Sequence, residues 1–220
     1  MMKTKVVVFD AYGTLFDVNS AAEKCKDKIG AKWEAFANFW RTTQLEYTWL
    51  RSLMKRHKNF WDITEDSLDK SMKVFNINKN MKNDLLSLYK ILSPYPEVRE
   101  VLEDLKKKNF KLAILSNGTP DLLNELVENN KLNNLFDDLF SIEEVKIYKP
   151  DPKVYELPIK KYKIKSYEIT FLSANTWDVS GGGNFGYNSI WVNRHNSVFD
   201  ILDFQPKNEI NNLTQLLDKV

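Results

Sequence analysis

Three polar clusters stand directly behind apolar runs in this chain. Asp10 follows Val6–Phe9, Ser116 and Asn117 follow "KLAIL", and Ser173, Asn175 and Asp178 follow "ITFL". Runs that are apolar without alternation, rich in β-branched and aromatic residues, read as parallel strands covered on both faces. In an open sheet of such strands, ligands bind in the crevice outside the carboxyl ends, where all three clusters fall. Taken singly, each has a plainer reading: Asp10 caps the turn after its strand, and Gly13 and Thr14 belong to that turn. Their convergence on one rim is what marks a site. Lys149 stands in "YKPDP", where Pro150 and Pro152 stiffen the segment and give the side chain a reproducible direction.

The elements that must position these groups alternate along the chain. Val6–Phe9, "FKLAILSNG", "EITFLSAN" and "NSIWVNR" read as four strands, and helices run through Val98, Val101, Leu102 and Leu105 and over Leu122–Val127. This alternation implies right-handed crossovers and an α/β fold with a Rossmann-like, doubly wound parallel sheet as its core. Between the first strand and Pro94 the texture changes. From about Asn19 to about Ser93, residues such as Phe36, Phe39, Trp40, Tyr47 and Leu50 recur near helical spacing, with no strand run. The expected organisation is a core of residues 1–15 and 96–220 interrupted by a helical cap of residues 16–95, with the site at their junction. Phe36, Phe39, Trp40, Tyr47 and Trp49 read as packing between cap helices, and Gly181–Gly183 as a turn. There is no internal repeat and no low-complexity tract.

Composition narrows the partners. A chain of 220 residues with 43% hydrophobic content buries a real core. Lys and Arg number 32 against 30 Asp and Glu, and a formal charge of +2 argues against a nucleic-acid footprint and against a polybasic membrane surface. The expected partner is a small molecule. Cys25 is the single cysteine, which suits a reducing compartment, and His57 and His195 are too few for a histidine metal cluster. Val6–Phe9 is too short for a signal-peptide core or a membrane span, so the expected location is the cytoplasm.

"DAYGTLFD", "LSNG", "YKPDP" and a late Asp together resemble the haloacid dehalogenase superfamily, over nearly the whole chain. The longer blocks "DAYGTLFDV", "WRTTQLEYTWLRSLM", "LSNG", "IYKPDPKVYELP" and "SANTWDVSGG" are similar to its (S)-2-haloacid dehalogenase branch. The resemblance implies that Asp10 is a nucleophile, since a carboxylate can attack an electrophilic carbon and form an ester that water later breaks. Thr14 would orient it. Ser116 and Lys149 would hold and neutralise the site, with Lys149 itself held by Tyr155, Ser173 or Asn175. Backbone N–H groups around Ala11, Tyr12 and Asn117, with the Ser116 hydroxyl, would grip the substrate carboxylate. Arg41 would close over the site from the cap and, with Asn117 and Trp177, favour the departing halide. Leu45, Phe60 and Trp177 would form an apolar wall suited to short acids. A water set by Asp178 would attack the ester carbonyl. The implied reaction turns an (S)-2-haloacid into an (R)-2-hydroxyacid and halide with no metal and no cofactor, in a homodimer.

The substitution pattern bears on the choice of reaction. Phosphatase relatives carry a second Asp two residues after the nucleophile, where this chain has Tyr12. They also hold Mg²⁺ with an Asp four residues before the last acidic residue, where this chain has Ala174. Without that carboxylate a Mg²⁺ ion, which demands hard oxygen ligands, is poorly held. Thr42, Thr43, Ala174 and Thr176 depart from the dehalogenase pattern at positions touching substrate fit. Arg41 has Ala37, Asn38, Gln44 and Leu45 at helical neighbour positions, so no local acid explains it. Two alternatives stay open: a Mg²⁺-dependent phosphatase of the same fold, and a non-catalytic binding protein, which leaves Asp10, Lys149 and Asp178 unexplained together. The two histidines have no assigned role.

Overall fold

The computed structural model describes residues 4–220; the first three residues of the expected core lie outside the described residues. Strand β1 (Val6–Phe9) is buried along its whole length, as its unbroken apolar run requires. Five more strands follow: β2 (Lys111–Ser116), β3 (Asp138–Ser141), β4 (Ile169–Ser173), β5 (Asn188–Val192) and β6 (Asn208–Ile210). They form one sheet in the order β3-β2-β1-β4-β5-β6, every pairing parallel. Val6 lies opposite both Lys111 and Ile169, so β1 is clamped between β2 and β4. The chain winds outward from β1 in one direction and then in the other. The reversal falls beside β1, which makes the rim above β1 and β4 the crevice of this doubly wound sheet.

The four strands expected from the sequence are present, and β3 and β6 are additional. Both are short edge strands whose outer residues are half-buried or exposed, so neither carries a continuous apolar run. Between β1 and β2 come five inserted helices and one core helix: α1 (Ser20–Lys24), α2 (Lys26–Ile29), α3 (Trp33–Leu53), α4 (Phe60–Val74), α5 (Lys82–Tyr89) and α6 (Val98–Lys107). The remaining crossovers carry α7 (Pro120–Asn129), α8 (Pro152–Tyr162) and α9 (Thr176–Phe185). Thr119 caps α7 by accepting from Leu122 N, and Asp151 caps α8 by accepting from Lys153 N, each with Pro at the first helical position. The "KPDP" segment is thus the start signal of α8, which sets the place of Lys149 just before it.

The inserted helices join the core through a narrow neck. Asp17 N donates to Ser93 O at 2.9 Å, Tyr95 N donates to Leu15 O at 3.0 Å, and Phe16 bridges Pro94 in antiparallel fashion. Within the insert α3 packs along α4, and the aromatic stripe behaves as expected: Phe36 meets Phe75 at 5.9 Å between ring centres, and Trp40 meets Tyr89 at 5.4 Å. Trp49 departs from that reading. It faces Trp177 of α9 edge-on at 5.5 Å, so it joins the insert to the core instead of packing helix to helix within the insert.

Gly181–Gly183 also differ from expectation, since they lie inside α9 and not in a turn. The reason is steric. A Cβ on Gly181 would come within 2.5 Å of the Tyr155 hydroxyl and 2.7 Å of Pro150, and one on Gly182 within 2.7 Å of Phe171. The glycines let α9 press against α8 and β4 more closely than any side chain permits. Among the described residues no helix is long and apolar enough to cross a membrane.

Candidate active site

Asp10 is the first residue past β1, its backbone N–H still donating to Leu172 O of β4 at 2.8 Å. That bond carries the sheet's rigidity one residue beyond the strand, and the residue is 5% exposed. Its two oxygens are unequally engaged. Oδ2 accepts from Thr14 Oγ1 at 3.0 Å and from Asn175 Nδ2 at 2.9 Å, whereas Oδ1, among the described residues, accepts only from Lys149 Nζ at 3.1 Å. The turn after Asp10 closes through Gly13 N to Phe16 O and through Leu15 N and Phe16 N to Ala11 O. Gly13 takes φ +89° there, a conformation that suits glycine. The N–H groups of Ala11 and Tyr12 take no part in those bonds.

Lys149 joins the two carboxylates. Its ammonium, fully buried, lies 3.1 Å from Asp10 Oδ1 and 2.8 Å from Asp178 Oδ2. Burial works against this charge, but Asp10 and Asp178 outweigh it and its pKa stands raised. The sequence reading had Tyr155, Ser173 or Asn175 holding Lys149, and here the geometry differs. Tyr155 donates to Asp178 Oδ1 at 2.7 Å, Asn175 donates to Asp10, and Ser173 Oγ accepts from Asn175 N at 3.1 Å. An ammonium has only donors, so carboxylates are its natural partners; Tyr155 and Asn175 organise those carboxylates, and Ser173 holds the Asn175 backbone. The Lys149 backbone is fixed separately, by its N–H donating to Asn117 Oδ1 at 3.1 Å.

Asp178 is fully buried in the first turn of α9. Burial pushes its carboxyl up to about 6, with Lys149 pulling the other way and Asp10 adding to the rise. Tyr155, raised well above the usual phenol range by burial and then by Asp178, stays neutral and donates. Asn175 is the residue that opens α9, yet its side chain makes no cap bond. Its amide turns instead to Asp10 and, at 3.2 Å, to Tyr12 O. A forgone cap costs about 1 kcal/mol, so the site takes precedence over the helix end.

Ser116 and Ser173, ending β2 and β4, are fully buried, and each hydroxyl accepts from the N–H two residues on, Gly118 and Asn175 respectively. Each keeps its own O–H for a further acceptor. Thr14 Oγ1 also accepts from Ala174 N at 2.8 Å, which ties the β1 and β4 loops together. Arg41 reaches in from α3: Nη2 stands 3.5 Å from Tyr12 O and Nη1 donates to Gln44 Oε1 at 2.8 Å. Tyr12 stacks on Tyr89 at 5.7 Å and meets Phe60 at 5.3 Å, and Phe60 is fully buried. Leu45 and Trp177 are half-buried and share no hydrogen bond with the Asp10 cluster.

Several contributors were invisible in the sequence. Arg194, just past β5, donates to Thr14 O at 2.8 Å, pairs with Glu97 at 2.7 Å and lies over the Tyr95 ring at 3.7 Å, so it pins the loop behind the nucleophile. Ser141 donates to Gly118 O at 2.6 Å and fixes the turn after β2. His57, unassigned before, pairs with Glu143 at 3.0 Å between insert and core. None of these carries a local signal, because each acts on a residue far away in the chain.

The chain as a whole is similar to known proteins. A family model described as haloacid dehalogenase-like hydrolase matches residues 4–186. The chain is 39% identical over 215 residues to (S)-2-haloacid dehalogenase 4A of Burkholderia cepacia, covering 96% of this chain and 93% of that protein. It is 38% identical over 214 residues to (S)-2-haloacid dehalogenase 1 of a Pseudomonas species, strain CBS-3, covering 96% and 94%. Among solved structures, L-2-haloacid dehalogenase from Xanthobacter autotrophicus with chloropropionic acid covalently bound superposes with a TM-score of 0.90 at 32% identity, over 97% of this chain and 96% of that one.

Proposed function

Because the chain belongs to the haloacid dehalogenase-like hydrolase family, we propose that it converts short-chain (S)-2-haloacids into (R)-2-hydroxyacids and halide, with Asp10 as the nucleophile. Hydrolytic dehalogenation of a 2-haloacid is the reaction class. The observation that carries the residue assignment is the buried Lys149 ammonium set between Asp10 and Asp178. A cation in that place offsets the charge of the Asp10 carboxylate while holding a second carboxylate within reach of the same centre.

In the first step Asp10 Oδ1, the oxygen with a single partner, attacks C2 from behind the carbon–halogen bond. The new C–O bond forms as the halide leaves with the bonding pair, and the configuration inverts. Arg41, Asn117 and Trp177 favour the departing anion, and the N–H groups of Ala11 and Tyr12 with the Ser116 hydroxyl receive the substrate carboxylate. Oδ2 becomes the ester carbonyl oxygen. Thr14 and Asn175 already donate to it, so they are placed to receive the negative charge that develops when water adds to the carbonyl carbon. Asp178 takes one proton of that water and returns it to the departing hydroxyacid oxygen, and the water's second proton passes to solvent, which restores the Asp10 carboxylate. A carboxyl raised to about 6 suits both halves of the exchange near neutrality. Tyr12 and Ala174 stand where the phosphatase relatives carry carboxylates, which favours this chemistry over a Mg²⁺-dependent phosphatase.

On this reading the inserted helices, residues 16–95, act as the cap over a core of residues 1–15 and 96–220. Their closure keeps bulk water from Asp10 and Asp178, which are 5% and 0% exposed. The same reading puts the protein in the cytoplasm, as a homodimer. The deciding experiment is a single turnover in heavy-oxygen water with enzyme in excess over (S)-2-chloropropanoate. The label is expected in the Asp10 side chain, read by peptide mass, with the lactate formed unlabelled. Label entering the lactate in that first turnover would exclude the ester.

A further inference from the structure

We infer that Gln44 is a positioning residue for Arg41: it holds the guanidinium over the site through a neutral acceptor, so that the full positive charge stays available to the leaving halide. The inference rests on the dehalogenase reading. Residues 41 and 44 are three apart on α3 and therefore neighbours on one face. Gln44 is 1% exposed, and its Oε1 accepts from Arg41 Nη1 at 2.8 Å.

Its amide has only one way to lie. The Thr64 hydroxyl donates to Phe60 O at 2.8 Å, so toward Gln44 it can only accept, and Nε2 supplies that bond at 2.6 Å. Nε2 donates again to the Tyr89 hydroxyl at 3.0 Å, and the Tyr89 hydroxyl stands 3.4 Å from Oε1. With both donors turned toward α4 and α5, Oε1 is left facing the guanidinium. Tyr89 is stacked on Tyr12 and packed against Trp40, whose Nε1 donates to Thr64 O at 3.1 Å, so the partners of the amide are themselves fixed. The space left among Val18, Ala37, Trp40, Arg41, Gln44 and Tyr89 is only about 10 Å³.

Charge explains why an amide stands here. The ionisable groups facing Gln44 are Arg41 and Tyr89, with the Asp10 carboxylate beyond Tyr12. Burial raises the Tyr89 phenol, with Arg41 opposing, so it stays neutral. Among the described residues no carboxylate forms an ion pair with Arg41. A glutamate at position 44 would keep the shape and accept from Arg41, but it would lose both Nε2 donations, to the Thr64 and Tyr89 hydroxyls, and cancel the charge that the halide needs.

The test compares single-turnover halide release from (S)-2-chloropropanoate and (S)-2-bromopropanoate by the unaltered protein, Gln44→Leu and Gln44→Glu, with thermal unfolding of each. If the unaltered protein releases halide from neither acid, the dehalogenase reading itself fails. Given that activity, folded Gln44→Leu is expected to lose about 10–100-fold with the chloro acid and distinctly less with the bromo acid, because the poorer leaving group depends more on Arg41. Gln44→Glu is expected to follow the same pattern and, being isosteric, carries the comparison if Gln44→Leu does not fold. Equal proportional losses with both acids, or full activity in the folded variants, overturn the inference.

Discussion

Asp178 and Lys149 share one buried contact, and their pH behaviour follows from it. The Asp178 carboxyl, raised by burial to about 6, is ionised and able to take a proton from water only above that pH. The single-turnover rate of ester hydrolysis is expected to fall on the acid side with a midpoint near 6, as a pH–rate profile of the unaltered protein would record. Stability runs the other way. The folded-state pKa lies above the ordinary value of 3.8, so the folded state binds the proton more tightly than the unfolded chain. The contribution is fully present below that ordinary value and is lost as pH rises through the folded one. Melting curves of the unaltered protein against Asp178→Asn between those limits measure the difference. Removing the cation has the larger cost. Lys149→Met leaves two carboxylates facing each other without a counter-charge and is expected to lose about 3–5 kcal/mol near neutrality. The loss shrinks in mildly acid solution, where Asp178 takes up a proton, and denaturant titration at both pH values distinguishes the two cases.

Among the elements, α9 shows packing overriding propensity. An alanine for a mid-helix glycine gains about 1 kcal/mol in an isolated helix, but at Gly181 its Cβ meets the Tyr155 hydroxyl and Pro150. Gly181→Ala is expected to destabilise by about 1–3 kcal/mol net and to displace Tyr155 from Asp178, lowering both the melting temperature and the turnover rate. The "GGG" run carried no such information in the sequence, where it resembled a turn, because the cause lies in α8 and β4. The central strands were legible, since β1, β2, β4 and β5 are buried over most of their length and each carries an apolar run. Edge strands β3 and β6 carry no such run, and Asp138 and Asn208 can stand in them. Asp10, Asn175 and Asp178 past strand ends, and Lys149 in the proline-flanked segment before α8, were likewise legible as a set. What could not be read was who bonds whom: Tyr155 serves Asp178 and not Lys149, and Arg194 reaches Thr14 across 180 positions of sequence.

At the scale of the whole molecule, the insert is tied to the core at points well spread around the site. Tyr148 alone makes two of these ties, its hydroxyl donating to Lys58 O at 2.6 Å and its N–H to Ser52 Oγ at 3.2 Å, directly before Lys149. Beyond those ties α3 ends on Leu53 and Met54, 80% and 59% exposed. The homodimer proposed above is expected to cover these two side chains. Sedimentation is expected to give twice the 25.8 kDa chain mass, and Leu53→Asp to shift it to the single mass. The neck has a broader meaning. Since Asp17 and Ser93 are hydrogen-bonded partners, the excursion of the polypeptide away from the sheet departs and returns at one spot. A different helical module, longer or shorter, could be grafted between those two residues without rewiring any strand. The catalytic rim could thus be kept while what hangs above it, and with it the choice of acid admitted, is exchanged.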